Sequence, residues 1–310
     1  MFSPISGIMP VMLTPFTDDD MIDWASLERL IEWYLAHGAD ALFAVAQSSE
    51  MQFLSLAERE ALAKAVVKQV DGRVPVVVSG HVSDDIDAQV AELTIAAESG
   101  ADAVILVTNH LDPANDGIET FRATLETLLA KLPVDVPLGL YECPAPYRRL
   151  LSDDELAMCL DTERFVVLKD VSCDLATIER RIGAAAGSAL AVVNANAALA
   201  WDAMQVGSPG FCGVHTNYQP DLYKWLLTSG AAHPELRADL VPFLAMSALS
   251  EAFGYPAQAK LLHQRLGTIA SRRCRVTDYD VRERFWAIDA VLDKMVAGTE
   301  LFRGRIAALA

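Results

Sequence analysis

Short apolar runs alternate with stretches of helical periodicity along the first 220 residues, and this alternation constrains the fold more than any other feature of the chain. Each run is almost continuously apolar, which is typical of a strand buried on both faces of a parallel sheet. The eight strand candidates are residues 8–13, 41–46, 74–79, 103–107, 137–142, 165–169, 189–194 and 211–214. The clearest helical stretches are residues 24–37, 56–70, 84–99 and 117–132. We predict that Ser55 and Ser83 cap two of these helices.

Strand and helix units repeated eight times predict a closed (β/α)8 TIM barrel, an α/β fold. An internal repeat supports this prediction, because Gly38-Ala39-Asp40 recurs as Gly100-Ala101-Asp102. Each copy is placed to end a helix with glycine and to open the next strand.

The strand pattern stops after residue 220, and the last part of the chain has three helical stretches. They are separated near residues 254–256 and 275–278, without a change in composition that would mark a linker. We therefore predict a barrel over residues 1–230 and a three-helix extension over residues 231–310 that packs on it.

The chain is strongly acidic, and its net charge of −17 disfavours binding to nucleic acid or to an anionic membrane surface. Five cysteines, an odd number without paired C-x-x-C spacing, indicate a reducing compartment. The first residues lack a basic region followed by an apolar stretch, and no run approaches the roughly 18 apolar residues of a spanning helix. We therefore expect a cytoplasmic protein without a membrane segment.

Lys169 ends the apolar run 165–168 and directly precedes Asp170. A lysine at the tip of a buried strand loses hydration, so its pKa falls and it can attack a carbonyl group as the free amine. The alternative is a strand-end lysine that reaches water and pairs with Asp170 at the surface. We interpret the other six lysines as solvent-facing residues of helices: Lys64, Lys68, Lys131, Lys224, Lys260 and Lys294.

Other strand ends carry polar residues, and the C-terminal ends of barrel strands meet at one face. The Tyr141 hydroxyl is suited to shuttling protons for an imine-forming lysine, although strand tyrosines are more commonly core or rim residues. The turn Gln47-Ser48-Ser49 offers N–H groups and hydroxyls to a substrate carboxylate, or it simply caps a helix. Asn194 and Cys212, on the seventh and eighth strand candidates, are the further substrate-binding candidates.

Three polar side chains near these strand ends have plainer interpretations. His110 and His215 are candidate acid–base groups, but single loop histidines are usually structural. Glu142 follows Tyr141, and strand alternation therefore directs it to the opposite side.

Several motifs stand in a characteristic order along the chain: Thr14-Pro15-Phe16, Ile22-Asp23, Ser48-Ser49-Glu50, Gly100-Ala101-Asp102-Ala103, Tyr141 with Pro144, Leu168-Lys169-Asp170, and Asn217 with Pro220. Their order and spacing resemble the dihydrodipicolinate synthase and N-acetylneuraminate lyase family. The resemblance covers at least the first 220 residues and implies a homotetrameric (β/α)8 lyase. It also implies that Lys169 forms an imine with pyruvate or another 2-oxo acid and that Tyr141 transfers protons.

The chain departs from this family in its proton relay. Gln47 and Ser48 replace the two threonines of the family's Gly-Thr-Thr-Gly-Glu turn, so Ser48 keeps a hydroxyl for the carboxylate while Gln47 has none to relay a proton. Leu111 stands where the synthase donates a tyrosine across a subunit interface.

Departures also affect the groups that select the second substrate. Pro146 replaces the arginine that holds the aldehyde's carboxylate in the synthase, although Arg148 and Arg149 lie close in sequence. Val171 and Asn196-Ala197 stand where the lyase has groups for sugar hydroxyls. Neither parent specificity is therefore expected.

We predict a class I lyase with an unassigned aldol partner, acting on a small-molecule 2-oxo acid. Two alternatives remain: a Schiff-base dehydratase of a deoxy-keto sugar acid, and a non-catalytic 2-oxo-acid-binding barrel. No metal or cofactor is expected, because no His/Asp/Glu cluster has ligand spacing and no Gly-x-Gly-x-x-Gly follows a strand. An imine also supplies the electron sink for this chemistry.

Overall fold

The computed structural model describes residues 2–309, and its eight strands form one parallel sheet in the order β1-β8-β7-β6-β5-β4-β3-β2. The strands are β1 Gly7–Ile8, β2 Leu42–Ala44, β3 Val76–Val78, β4 Ala103–Val107, β5 Leu138–Tyr141, β6 Phe165–Asp170, β7 Ala191–Asn194 and β8 Gly210–Phe211. Two hydrogen bonds join the first strand segment to the second, from Met12 N to Phe43 O and from Phe43 N to Pro10 O, both at 2.9 Å. They close the sheet, and the prediction of a (β/α)8 barrel is confirmed.

Helices surround the barrel and continue beyond it. The α-helices are α1 Trp24–Ala36, α2 Leu56–Val70, α3 Ile86–Glu98, α4 Thr108–Leu111, α5 Ile118–Lys131, α6 Asp153–Asp161, α7 Leu175–Ala184, α8 Ala200–Gln205, α9 Pro220–Ser229, α10 Pro234–Ala248, α11 Ala257–Arg265, α12 Val281–Arg284 and α13 Ile288–Ala307. Short 3-10 helices lie at Gln47–Ser49, Met51–Phe53, Ala197–Leu199, Val214–Asn217 and Leu249–Ala252. Within residues 2–309, no helix combines the length and apolar character that crossing a bilayer requires.

One of the two predicted helix caps is confirmed. The Ser55 hydroxyl accepts a hydrogen bond from Glu58 N at 3.2 Å at the start of α2. The prediction for Ser83 was wrong, because Asp85 stands next to the first residue of α3 and its carboxylate caps that helix. The Ser83 hydroxyl instead donates to the Glu92 carboxylate at 2.7 Å.

The fourth strand has the predicted bounds, whereas the first is shorter than residues 8–13. Pro10 explains this difference, because proline has no N–H group to donate to a neighbouring strand. The chain after Ile8 nevertheless stays beside its neighbours, since Met9 N donates to Phe211 O at 3.0 Å.

The repeated Gly-Ala-Asp string has the same structural role in both copies. The glycine of each copy has a φ of +83°, a left-handed conformation that ends the preceding helix. The carboxylate of Asp40 accepts the N–H of Ile8, and that of Asp102 accepts the N–H of Val76, both at 2.8 Å. Each aspartate therefore ties the start of its strand to the preceding strand.

The C-terminal part contains the three predicted helices, now α10, α11 and α13, together with the short α12. An apolar cluster that includes Leu222, Leu240 and Phe302 packs α9, α10 and α13 against the barrel. The division into units at residue 230 stays a prediction.

A buried ion pair connects this extension to the barrel. Lys260 on α11 is fully buried and donates to Glu50 at 2.5 Å, and the N–H groups of Arg275 and Val276 bind the same carboxylate at 2.6 and 2.8 Å. The interpretation of Lys260 as solvent-facing was therefore wrong. Helical periodicity could not show that α11 packs over the turn after β2.

Candidate active site

The side chain of Lys169 lies at the C-terminal end of β6 and is only 7% exposed. Its Nζ atom lies 4.2 Å from the ring centroid of Tyr141 and 5.7 Å from that of Phe43. Burial lowers the pKa of the Lys169 amine. Coulombic interactions with the side chains of Cys212, Cys143 and Glu251 raise it and so oppose this effect. The environment therefore shifts the equilibrium of the Lys169 side chain toward the neutral, nucleophilic amine.

Asp170 is not the partner of Lys169, which excludes the surface-pair interpretation. Its carboxylate is buried and pairs with Arg181. Arg181 also donates to both oxygens of Glu142, at 2.6 and 3.0 Å. Glu142 thus lies on the side of β5 opposite Tyr141, as strand alternation predicts, and this network fixes β5 against β6 behind Lys169.

The phenol of Tyr141 shares the site with the amide of Gln47. Tyr141 and Lys169 are register partners on neighbouring strands, and the Tyr141 hydroxyl donates to Gln47 Oε1 at 3.3 Å. The thiol of Cys143 contacts the same oxygen at 3.6 Å. Burial raises the pKa of Tyr141 well above its ordinary value, so the phenol stays protonated and is available as a proton donor.

The two serines of the turn after β2 have different surroundings. Ser48 lines a cavity of about 710 Å³ at the C-terminal ends of the strands, together with Gln47, Tyr141 and Lys169. We call it the barrel-mouth cavity. The Ser49 hydroxyl instead donates to Met12 O at 2.7 Å and accepts the N–H of Ala46 at 3.1 Å, so its hydrogen bonds hold the turn in shape.

Asn194 and Cys212 are buried and are not among the residues that line this cavity. The amide of Asn194 donates to Asn196 O at 2.8 Å and accepts the N–H of Asn196 at 2.9 Å. Cys212 lies near Lys169, and burial raises the pKa of its thiol to about 11. Substrate binding by these two residues stays a prediction.

Tyr255 and Glu251 line the cavity and were not identified as site residues in the sequence, and both come from the segment between α10 and α11. The Tyr255 hydroxyl accepts a hydrogen bond from Asn217 Nδ2 at 3.0 Å. Burial raises the pKa of Tyr255 well above its ordinary value, whereas a hydrogen bond with Ser48 lowers it. Glu251 lines the same cavity, and packing around its carboxyl group raises its pKa, while the Lys169 charge acts in the opposite direction. The only sequence feature at this segment was the predicted helix break at residues 254–256. That break did not indicate that the chain returns to the barrel mouth there.

The two histidines differ in position. His110 Nδ1 contacts the Asp84 carboxylate at 2.7 Å and is not among the cavity residues. His215 lines the cavity and stacks on Tyr218, with ring centroids 4.6 Å apart. Burial lowers the pKa of His215 to about 3, so its imidazole is neutral at pH 7.

Arg148 lies at the rim of the cavity, and its guanidinium group donates to Val171 O at 3.0 and 3.1 Å and to Ser172 O at 2.5 Å. Arg149 is buried and pairs with Asp112 and Glu155 at 2.9 and 2.5 Å. Among residues 2–309, no group of three or more His, Cys, Asp or Glu side chains is arranged to hold a metal ion.

Comparison with known proteins gives consistent results. A 4-hydroxy-tetrahydrodipicolinate synthase of Shewanella frigidimarina is 25% identical over 285 residues, which are 91% of this chain and 94% of the relative. The dihydrodipicolinate synthase DapA-2 of Bacillus anthracis has a TM-score of 0.83 at 24% identity, over 94% of this chain and 99% of that one. CdNal of Clostridium difficile, solved in complex with mannosamine, has a TM-score of 0.82 at 16% identity, over 94% and 100%.

The family model described as the dihydrodipicolinate synthetase family matches residues 4–277. This match spans nearly the whole described chain, including the strand ends that line the barrel-mouth cavity. The chain therefore belongs to the dihydrodipicolinate synthetase family and is a lyase of that family.

Proposed function

We propose that this lyase forms an imine between Lys169 and pyruvate or another 2-oxo acid, and then makes or breaks a carbon–carbon bond. The observation that carries the proposal is the Lys169 amine itself. It is buried at a strand end, faces the barrel-mouth cavity beside the Tyr141 phenol, and has no carboxylate partner among residues 2–309 in an ion pair.

The proposed steps follow from these groups. The Lys169 amine adds to the 2-oxo carbon, the oxygen takes one proton from the amine nitrogen and one from Tyr141, and water leaves as the iminium forms. Loss of a proton from the adjacent carbon gives an enamine, and the iminium nitrogen takes the electrons. In the cleavage direction, the same iminium accepts the electron pair of the breaking carbon–carbon bond. Ser48 and Gln47, at the same end of the cavity, are the proposed carboxylate contacts.

Borohydride reduction tests the imine directly. With pyruvate present, we expect one reduced adduct by intact mass, and peptide mapping should place it on Lys169. Lys169→Ala should abolish the adduct, whereas Lys64→Ala, at an exposed helical lysine, should retain it. Adducts that spread over surface lysines and persist in Lys169→Ala would contradict the proposal. Pyruvate released on incubation with a 4-hydroxy-2-oxo acid would separate the aldolase from the dehydratase.

We also propose a cytoplasmic homotetramer. The five cysteines are free in the structure, which suits a reducing compartment. The tetramer is an expectation from the family. Sedimentation analysis tests it, and a fully active monomer would contradict it.

A further inference from the structure

The Tyr255 hydroxyl is a further polar group of the barrel-mouth cavity, and the proposed reaction steps do not use it. Tyr255 lines the cavity together with Ser48, Lys169 and Tyr141. Burial is the main cause of the raised pKa of Tyr141, and the charge of Tyr255 is among the further causes. The two phenols therefore lie near each other, in the part of the cavity that Lys169 also lines.

The buried amide of Asn217 fixes the direction of the Tyr255 hydroxyl. Asn217 Oδ1 accepts the Tyr34 hydroxyl at 2.5 Å, and Asn217 Nδ2 donates to the carbonyls of Val11 and Val214 at 2.9 and 3.2 Å. Carbonyl oxygens only accept hydrogen bonds, so Nδ2 and Oδ1 cannot exchange places. The same Nδ2 donates to the Tyr255 oxygen at 3.0 Å. The phenol oxygen is thus an acceptor, and its own hydrogen points away from Asn217.

Ser48 is the second neighbour of this hydroxyl. Burial raises the pKa of Tyr255, and a hydrogen bond with Ser48 lowers it. A hydrogen bond that lowers the pKa of a phenol is one that its oxygen accepts. Among residues 2–309, no hydrogen bond has the Tyr255 hydroxyl as its donor. Donation to the oxygen from Asn217 and Ser48 polarises the O–H group, so Tyr255 is a stronger donor toward a ligand.

The carboxylate of a 2-oxo acid is the group that suits this donor. Once the acid is attached to Lys169, its carboxylate carbon is two bonds from the imine nitrogen, so the charge stays close to the lysine. A carboxylate only accepts hydrogen bonds, and bonds to it are roughly twice as strong as those between neutral groups. Arg148 is an alternative contact, but it is exposed at the rim and donates to the carbonyls of Val171 and Ser172.

We propose that Tyr255 is a substrate-binding residue that donates a hydrogen bond to the carboxylate of the 2-oxo acid on Lys169, beside the Ser48 contact. This inference deepens the proposed function and rests on its imine chemistry. It gives the segment between α10 and α11 a direct part in substrate recognition. The protein should therefore select charged 2-oxo acids over uncharged ketones of the same shape.

Borohydride trapping of pyruvate and of pyruvamide tests this inference, because pyruvamide keeps the 2-oxo group and the shape of pyruvate but has no charge. Tyr255→Phe should raise the half-saturating concentration of pyruvate by at least about 10-fold, and that of pyruvamide by only about 3-fold. Asn217 Nδ2 keeps its two carbonyl acceptors in this variant, so the fold should be retained. Tyr279→Phe is the matched control, because Tyr279 lies outside the cavity, and it should change neither value.

A second variant and the uncharged ketone separate the possible outcomes. Tyr255→Met also lacks the hydroxyl, should show the same selective loss, and decides the test if Tyr255→Phe does not fold. An unchanged value for pyruvate, or equal rises for both ketones as a merely structural role would give, overturns the inference alone. Loss of the preference in Arg148→Gln but not in Tyr255→Phe assigns the carboxylate to the rim and also overturns it. Absence of the adduct in the unmodified protein overturns the imine chemistry, and the inference with it.

Discussion

The Lys169 amine lies over the face of the Tyr141 ring, 4.2 Å from its centroid, and the two residues are register partners on β6 and β5. Parallel pairing places both side chains on the inner face of the barrel at the same height. The ring covers the amine and the hydroxyl extends toward Gln47. One pairing therefore sets both the desolvation of the nucleophile and the position of the proton donor.

Imine formation should depend on pH through the Lys169 amine. Burial lowers its pKa below the usual 10.5, so the reactive neutral form accumulates at a lower pH than for an exposed lysine. The rate of pyruvate trapping should rise with pH and level off below pH 10.5. A rate that still rises through pH 10.5, as for a surface lysine, would contradict this prediction.

Tyr141→Phe should retain the fold and lower kcat by about 10²-fold or more, the range typical of a positioned acid–base group. The ring that covers Lys169 remains, and only the proton donor is lost. Pre-steady-state measurement of imine formation would show whether this step slows. An unchanged kcat would remove Tyr141 from the mechanism and direct attention to the Tyr255 hydroxyl.

Removal of one partner from the buried Glu50–Lys260 pair should strongly destabilise the protein. Lys260→Met leaves the Glu50 carboxylate buried without its cation, and we expect a loss of about 3–5 kcal/mol in the free energy of unfolding. Lys64→Met, which breaks an exposed pair with Glu60, is the matched control and should cost about 0–1 kcal/mol. Urea unfolding measures both. Similar losses in the two variants would contradict the prediction.

Acid should destabilise the protein through His81. Burial, followed by the charge of His110, lowers the pKa of His81 from 6.5 to about 4. Between these pH values the unfolded chain binds a proton that the folded chain excludes, so stability present above pH 6.5 is lost as the pH falls toward 4. The Tm should therefore drop between pH 7 and pH 4. His81→Gln should show a shallower drop, and an identical slope would exclude His81 as a cause.

Both parent activities should be weak. Pro146 removes the synthase arginine, and Val171 with Asn196-Ala197 removes the lyase groups for sugar hydroxyls. Two or three hydrogen bonds left unmade cost roughly 1–3 kcal/mol each and lower kcat/KM by about two orders of magnitude or more. A kcat/KM near about 10⁴ M⁻¹s⁻¹, an ordinary value for a native substrate, for making dihydrodipicolinate or cleaving N-acetylneuraminate would contradict this prediction.

Local sequence was sufficient to predict the barrel and the position of its candidate nucleophile. Apolar runs such as residues 165–168 indicate strands that are buried on both faces. The Gly-Ala-Asp string forms a turn whose geometry depends only on neighbouring residues. Lys169 and Tyr141 were identifiable for the same reason, because the end of a strand is defined by its own sequence.

Only the tertiary structure decided which distant side chains complete the cavity. Tyr255 and Glu251 reach it because the extension folds back over the barrel mouth, where Lys260 is buried against Glu50. These contacts span about 200 residues of sequence and depend on how helices pack, which helical periodicity does not specify. The exposure of Leu249, a large apolar residue that lines the same cavity, has the same origin, because burial depends on packing rather than on residue type.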